Sequence, residues 1–125
     1  MSDDVLLFFA GKPGAAALYQ AFEDRVLAEV DGVRIRVQKT QISFYVRHMF
    51  AAVSLLPARP KARRPETYIT VTIGLRRRLD SPRVDRAVEP YPERWTHHIL
   101  LADAAEIDDE LMSWVREAAV FADKK

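Results

Sequence analysis

The strongest constraint on the fold lies in Lys39 to Leu56, KTQISFYVRHMFAAVSLL. In its first half Lys39, Gln41, Ser43, Tyr45 and Arg47 alternate with Ile42, Phe44 and Val46. Residues two apart on an extended chain share a face, so this half predicts a strand with one wet and one dry side. From Met49 to Leu56 the alternation collapses into MFAAVSLL, which needs cover on both faces, as a central strand does. The two are expected to pair in the middle of one sheet, with Arg47 and His48 at the turn. No Gly or Asn marks a tight primed hairpin there, so the register stays open.

The 125 residues are 49% hydrophobic and 30% charged, which fits one domain over 1–125 around a single core. Cysteine is absent, which removes disulfides, thiol nucleophiles and thiolate metal sites and fits a reducing cytoplasm. The start, MSDDVLLFFAGKPG, carries acids before a short apolar run, so neither secretion nor membrane insertion is expected. The net charge of +1 hides an asymmetry. Residues 33–94 hold 14 Lys or Arg against 5 Asp or Glu, a net +9, whereas the two ends hold 5 against 13, a net −8. A blocky layout of this kind can attract anions to a near-neutral protein.

Disorder is expected within residues 1–6, and the apolar run Val5 to Ala10 is expected to fold back onto the core before Gly11, Pro13 and Gly14 break it. From Ala15 to Val30, Leu18, Phe22, Val26 and Val30 recur every four residues and predict an amphipathic helix, closed at Asp31 and Gly32. Val33 to Gln38 alternates as a strand. Residues 57–66, PARPKARRPE, read as a mobile, basic, proline-broken surface loop. Tyr68 to Leu75 alternates again, and Trp95 to Leu101 is the last predicted strand. The segment 79–94 takes no assignment. Glu106 to Ala122 has helical spacing, with Asp103 and Glu106 as a capping box and Asp108 as a later start. This order predicts an α+β two-layer sandwich, a mostly antiparallel sheet of four to five strands with the N- and C-terminal helices on one face. The other face, expected to carry Arg34, Arg36, Gln41, Tyr45, Tyr68, Thr70 and Thr72, stays partly open.

Five segments, VRIRVQKTQISFY, RHMFAAVSLLP, YITVTIGL with LDSP, EPYPERWTHHILL and EIDDELMSWVREA, resemble a small bacterial family catalogued as domain of unknown function 5655. The helix followed by an aromatic strand pair is more weakly similar to the YdhG-like α+β proteins. The first resemblance implies no activity, cofactor or substrate. Its polar positions are Lys39, Gln41, Tyr45, Arg47, Tyr91, Arg94, Trp95, His97 and His98, which become the ligand-site candidates.

Each candidate has a plainer structural reading. Imidazoles titrate near neutral pH, so His97 and His98 suit acid–base chemistry, but adjacent strand residues face opposite sides and at most one can join Lys39, Tyr45 or Arg47. No HxH, HExxH or carboxylate cluster supplies a metal site, and no metal or other cofactor is predicted. Lys39, Gln41, Tyr45 and Arg47 can form an anion pocket or simply a solvated strand face. Tyr91, Arg94 and Trp95, with Pro90 and Pro92, can line a groove or fasten the connection to the sheet. Arg34, Arg36, Arg63, Arg64, Arg76, Arg77 and Arg78, with Arg59, Lys61, Arg83 and Arg86, suggest an anion-attracting surface. Nucleic acid is the weaker partner for them, since no RNP-like aromatic sequence is present and the acidic helices would repel a backbone.

There is no GxSxG, GxxxxGK[ST], GxGxxG or Cys nucleophile. The reading is therefore a cytoplasmic binding module, monomeric or homodimeric, whose basic sheet region meets a small anion or an acidic partner. The alternatives are an enzyme using His98 or His97 with Tyr45 and Lys39, and a nucleic-acid binder.

Overall fold

The alternating runs become strands of one antiparallel sheet in the computed structural model, which describes residues 2–124. The strands are β1 (Arg34–Val37), β2 (Ile42–Tyr45), β3 (Met49–Ser54), β4 (Ile69–Leu75), β5 (Arg86–Tyr91) and β6 (Arg94–Leu101). Three helices accompany them, α1 (Asp3–Phe8), α2 (Pro13–Glu29) and α3 (Asp109–Asp123), with 3-10 turns at Lys61–Arg63 and Ala104–Glu106. The sheet order is β1-β2-β3-β4-β6-β5. The fold is α+β with six strands, where four to five were expected.

The added strand is β5, drawn from the connection 79–94 that resisted assignment. It lies at the sheet edge and is mostly exposed, so it tolerates Glu89 and Pro90, which hide its pattern. A two-residue turn joins it to β6. Pro92 followed by Glu93 at φ 60° fits a type II turn, Pro at its first central position and a left-handed residue at its second.

The opening stretch forms a pair, as expected, but β3 and β4 are the central strands and β2 lies one place outward. β2 is also shorter than its alternation. Gln38 N donates to the Gln41 carbonyl at 2.9 Å, so Lys39 and Thr40 become the tip of the β1–β2 hairpin instead of strand. Ser43, assigned to the wet side, is fully buried: its hydroxyl donates to Gln38 Oε1 at 2.8 Å and accepts from Gln41 Nε2 at 2.8 Å. Arg47 and His48 do sit at the turn, and His48 Nδ1 meets the Ala122 carbonyl of α3 at 3.0 Å. Between Phe44, opposite Ala51, and Tyr45, opposite Met49, a bulge leaves Phe50 unpaired and brings its ring to 6.4 Å from that of Phe44.

Helices α2 and α3 cover one face of the sheet. Phe22 of α2 meets Phe44 edge to face at 5.6 Å, and α3 packs along β3 and β4. Phe44 anchors an aromatic cluster that continues through Tyr19 to Phe9 and Phe8. The disorder expected over 1–6 gives way to α1: Ser2 caps it through Val5 N, Asp3 and Asp4 sit in its positive first turn, and Val5 is buried. Met1 lies outside the described residues. Both start signals read for the last helix are used. Asp103 and Glu106 cap the 3-10 turn reciprocally, and Asp108 caps α3 through Leu111 N at 3.0 Å.

Candidate functional site

The antiparallel registers place Arg36, Ser43, Ala52, Thr72, His98 and Arg86 side by side across the sheet, one from each strand. The adjacent row, Ile35, Phe44, Ala51, Ile73, His97 and Ala87, belongs to the helix-covered side. His97 and His98 therefore point to opposite faces. The parity of the strand required this, and His98 lies on the helix-free face.

His97 is fully buried and its Nε2 accepts from Leu79 N at 2.9 Å, which puts its ring proton on Nδ1, a buried nitrogen with no hydrogen-bond partner among the described residues. Burial lowers its pKa, the Ile73 carbonyl works against that, and the nearby Arg77 and Arg78 charges add to it. This histidine fastens the turn after β4. It does not meet Lys39 or Tyr45.

His98 is half-buried, with Nδ1 at 2.8 Å from Thr72 Oγ1. When the Thr72 hydroxyl donates in this contact, the neutral ring carries its proton on Nε2. Burial, then the charge of Arg86, lowers the His98 pKa and keeps the ring neutral. Nε2 makes no hydrogen bond to any described residue.

A groove of about 510 Å³ opens here, lined by Lys39, Thr40, Gln41, Ser54, Thr72 and His98 together with Phe8, Leu55 and Leu56. Lys39 reaches it from the hairpin tip, and the Gln41 amide, whose nitrogen is held by Ser43, leaves its carbonyl oxygen as an acceptor. Thus a cation, an imidazole N–H and an amide carbonyl surround an apolar floor. Of the sequence candidates, Lys39, Gln41 and His98 converge. Tyr45, Arg47, Tyr91, Arg94 and Trp95 do not line this groove: Arg47 and Tyr91 are exposed, and Arg78 stacks over Trp95 at 5.8 Å. Thr72 was read only as a wet-face residue, and Leu55, Leu56 and Phe8 were missed, because apolar lining carries no signal in the sequence that distinguishes it from core.

The loop 57–66 roofs the neighbouring part of this face. Its cations do not all project outward as expected. Arg59 Nε donates to Asp85 Oδ1 at 2.7 Å, Asp85 Oδ2 accepts from Leu100 N at 2.8 Å, and Arg64 donates to the Arg59 carbonyl at 3.3 Å. Thr70, another expected wet-face residue, is fully buried and donates to the Leu56 carbonyl at 2.6 Å. Lys61 to Arg63 form a 3-10 turn in spite of the flanking prolines.

The charge asymmetry also folds partly onto itself. Arg77 holds Glu117 through two bonds of 2.9 Å, and Arg83 binds Asp108 and Glu110 while lying over Trp114. Arg34 donates to the Val46 carbonyl at 3.2 Å. Lys39, Arg34, Arg36, Arg63, Arg76, Arg78, Arg86 and Arg94 form no ion pair with a described residue, and they carry the remaining positive potential. Among the described residues no group of three His, Asp or Glu is placed to hold a metal ion, and no helix is long and apolar enough to cross a membrane.

By fold and site this is a small antiparallel α+β protein with a cation-bearing groove on the helix-free side of its sheet. The family model described as domain of unknown function (DUF5655) matches residues 7–121, and the chain belongs to that family. No curated protein and no solved structure matches it.

Proposed function

We propose that the protein is a binding module for a small organic carboxylate, held in the groove on the helix-free face. One observation carries this reading: Lys39 and the Thr72-oriented His98 line a single groove that Leu55, Leu56 and Phe8 line as well. The ammonium supplies charge and the His98 Nε2–H supplies direction to an acid group, while the apolar walls cover a hydrocarbon body. Arg36 and Arg86, at the two ends of the same residue row, add a field that draws anions toward the face.

The test is a thermal-shift screen against small mono- and dicarboxylates, followed by calorimetry on any that stabilise the protein. At least one acid should raise the melting temperature of the native protein, and Lys39→Glu and His98→Ala should each remove the effect. A panel without a stabilising acid, or one acting equally on Lys39→Glu, would sink the proposal.

A further inference from the structure

A second cationic cleft lies on the helix-covered side, between the Arg76 end of β4, the start of β6 and the last turns of α3. Leu75 and Trp95 are opposite one another, so Arg76, just past β4, and Arg94, the first residue of β6, are neighbours at this end of the sheet. Both guanidinium groups approach the ring of Phe121, Arg94 at 5.0 Å and Arg76 at 6.0 Å from its centroid. Lys124 completes the positive rim of a cleft of about 280 Å³, and Val120, 54% exposed, supplies apolar wall.

The one carboxylate in the lining, Glu117, is already held by two nitrogens of Arg77, Nε and Nη2, which also keeps it ionised by lowering its pKa. Arg76, Arg94 and Lys124 have no ion-pair partner among the described residues. Cation–π contact orients the two arginines but does not cancel their charge. The cleft therefore presents like charges beside exposed hydrocarbon. An inorganic anion would answer the charge and leave Val120 wet, whereas a chain bearing an acid next to an apolar side chain answers both.

We infer that this cleft docks an acidic peptide segment of a partner protein, with its carboxylates on Arg76, Arg94 and Lys124 and an adjacent apolar side chain against Val120 and Phe121. The site is separate from the carboxylate groove, on the opposite face of the sheet, and stands or falls independently of it.

The test uses the full chain, ¹⁵N-labelled, titrated with a short peptide alternating glutamate and leucine. Amide shifts should concentrate at Arg76, Arg94, Val120 and Lys124. Affinity should fall about tenfold on combining Arg76→Glu with Arg94→Glu, survive Arg94→Lys, and ignore Lys39→Glu on the other face. The Arg94→Lys protein keeps the charge, so its retained binding together with a native amide spectrum separates lost charge from lost fold. Equal binding of a lysine–leucine peptide, shifts confined to the Lys39 and His98 side, no shifts at all, or binding only to phosphatidylserine vesicles would overturn the assignment.

Discussion

Thr72 Oγ1 and His98 Nδ1 stand 2.8 Å apart on the neighbouring strands β4 and β6, and this contact orients the imidazole at the groove. With the hydroxyl donating to Nδ1, Nε2–H is the ring's donor toward the groove. Burial and Arg86 hold the free protein's His98 pKa below its ordinary value, and an anion bound beside the ring would raise it. Binding then takes up a proton. Carboxylate affinity is expected to rise as pH falls through the pKa of the complex and to level off below that of the free protein. Calorimetry between about pH 5 and pH 8 reads this directly, and His98→Gln should flatten it. Thr72→Val, which keeps the shape and removes the hydroxyl, should weaken affinity about tenfold, or about 1.4 kcal/mol.

Asp85 closes the roof beside that groove. One carboxylate oxygen accepts from Arg59 and the other from the β6 backbone at Leu100, with 12% of the Asp85 side chain exposed. Asp85→Ala leaves both donors without their acceptor and is expected to cost about 2 to 3 kcal/mol, seen as a lower urea midpoint at unchanged slope. Asp85→Asn retains one acceptor and should cost less. Since Leu55 and Leu56 lead into the loop that Arg59 anchors, the alanine variant should also bind the carboxylate more weakly. Undiminished affinity would detach the loop from the groove.

Much of this architecture was legible in the sequence, for identifiable reasons. Alternation gave β1 and β4, and helical spacing gave α2 and α3, because each element buries one continuous face. Asp103 and Glu106 announced the 3-10 turn, and Asp108 the start of α3, because caps act locally. The strand parity of His97 and His98 was equally local, but the choice of face was not. It depends on which side α2 and α3 cover. α1 was missed because six residues are too few to show a period, and β5 because an edge strand needs no apolar side. The inward turn of Arg59 and Arg83 depends on partners far along the chain, Asp85 and Asp108. In the site, Lys39, Gln41 and His98 stood out by their chemistry. Nothing in the pattern separated them from Tyr45 or Arg47, since convergence is a property of the tertiary fold.

His97 makes an acid-sensitive joint. Its Nε2 must stay unprotonated to accept from Leu79 N, and burial lowers its pKa accordingly. In the unfolded chain the ring has its ordinary pKa of about 6.5. Above that value both states are neutral and the contact is fully present. As pH falls from there toward the depressed folded-state pKa, the unfolded chain binds the proton first, so stability declines. His98, also depressed, adds to the decline. His97→Gln offers an amide oxygen to Leu79 N without a titrating group, so urea unfolding at pH 5 and pH 7 should show a smaller difference for this variant than for the native chain. An unchanged difference would remove His97 as a cause.

Arg83 joins the connection before β5 to the start of α3. Its guanidinium donates to Asp108 and Glu110, reaches the Glu106 carbonyl at 2.6 Å and lies 5.7 Å from the Trp114 ring, with 22% of the side chain exposed. Although partial burial alone would raise the Asp108 pKa, Arg83 and the Leu111 N–H outweigh it and hold it below the ordinary range. A carboxylate so placed stabilises the fold above its unfolded pKa and loses that share as pH falls through its folded one. Lysine in this position keeps the charge but cannot donate to a carboxylate, a carbonyl and a ring face at once. Arg83→Lys should therefore cost nearly as much as Arg83→Ala, about 1 to 2 kcal/mol after allowance for solvent screening. Most of either loss should persist in high salt, because the Glu106 bond and the Trp114 packing are not screened. If Arg83→Lys matched the native midpoint, charge alone would be sufficient and the planar fork would have no structural part.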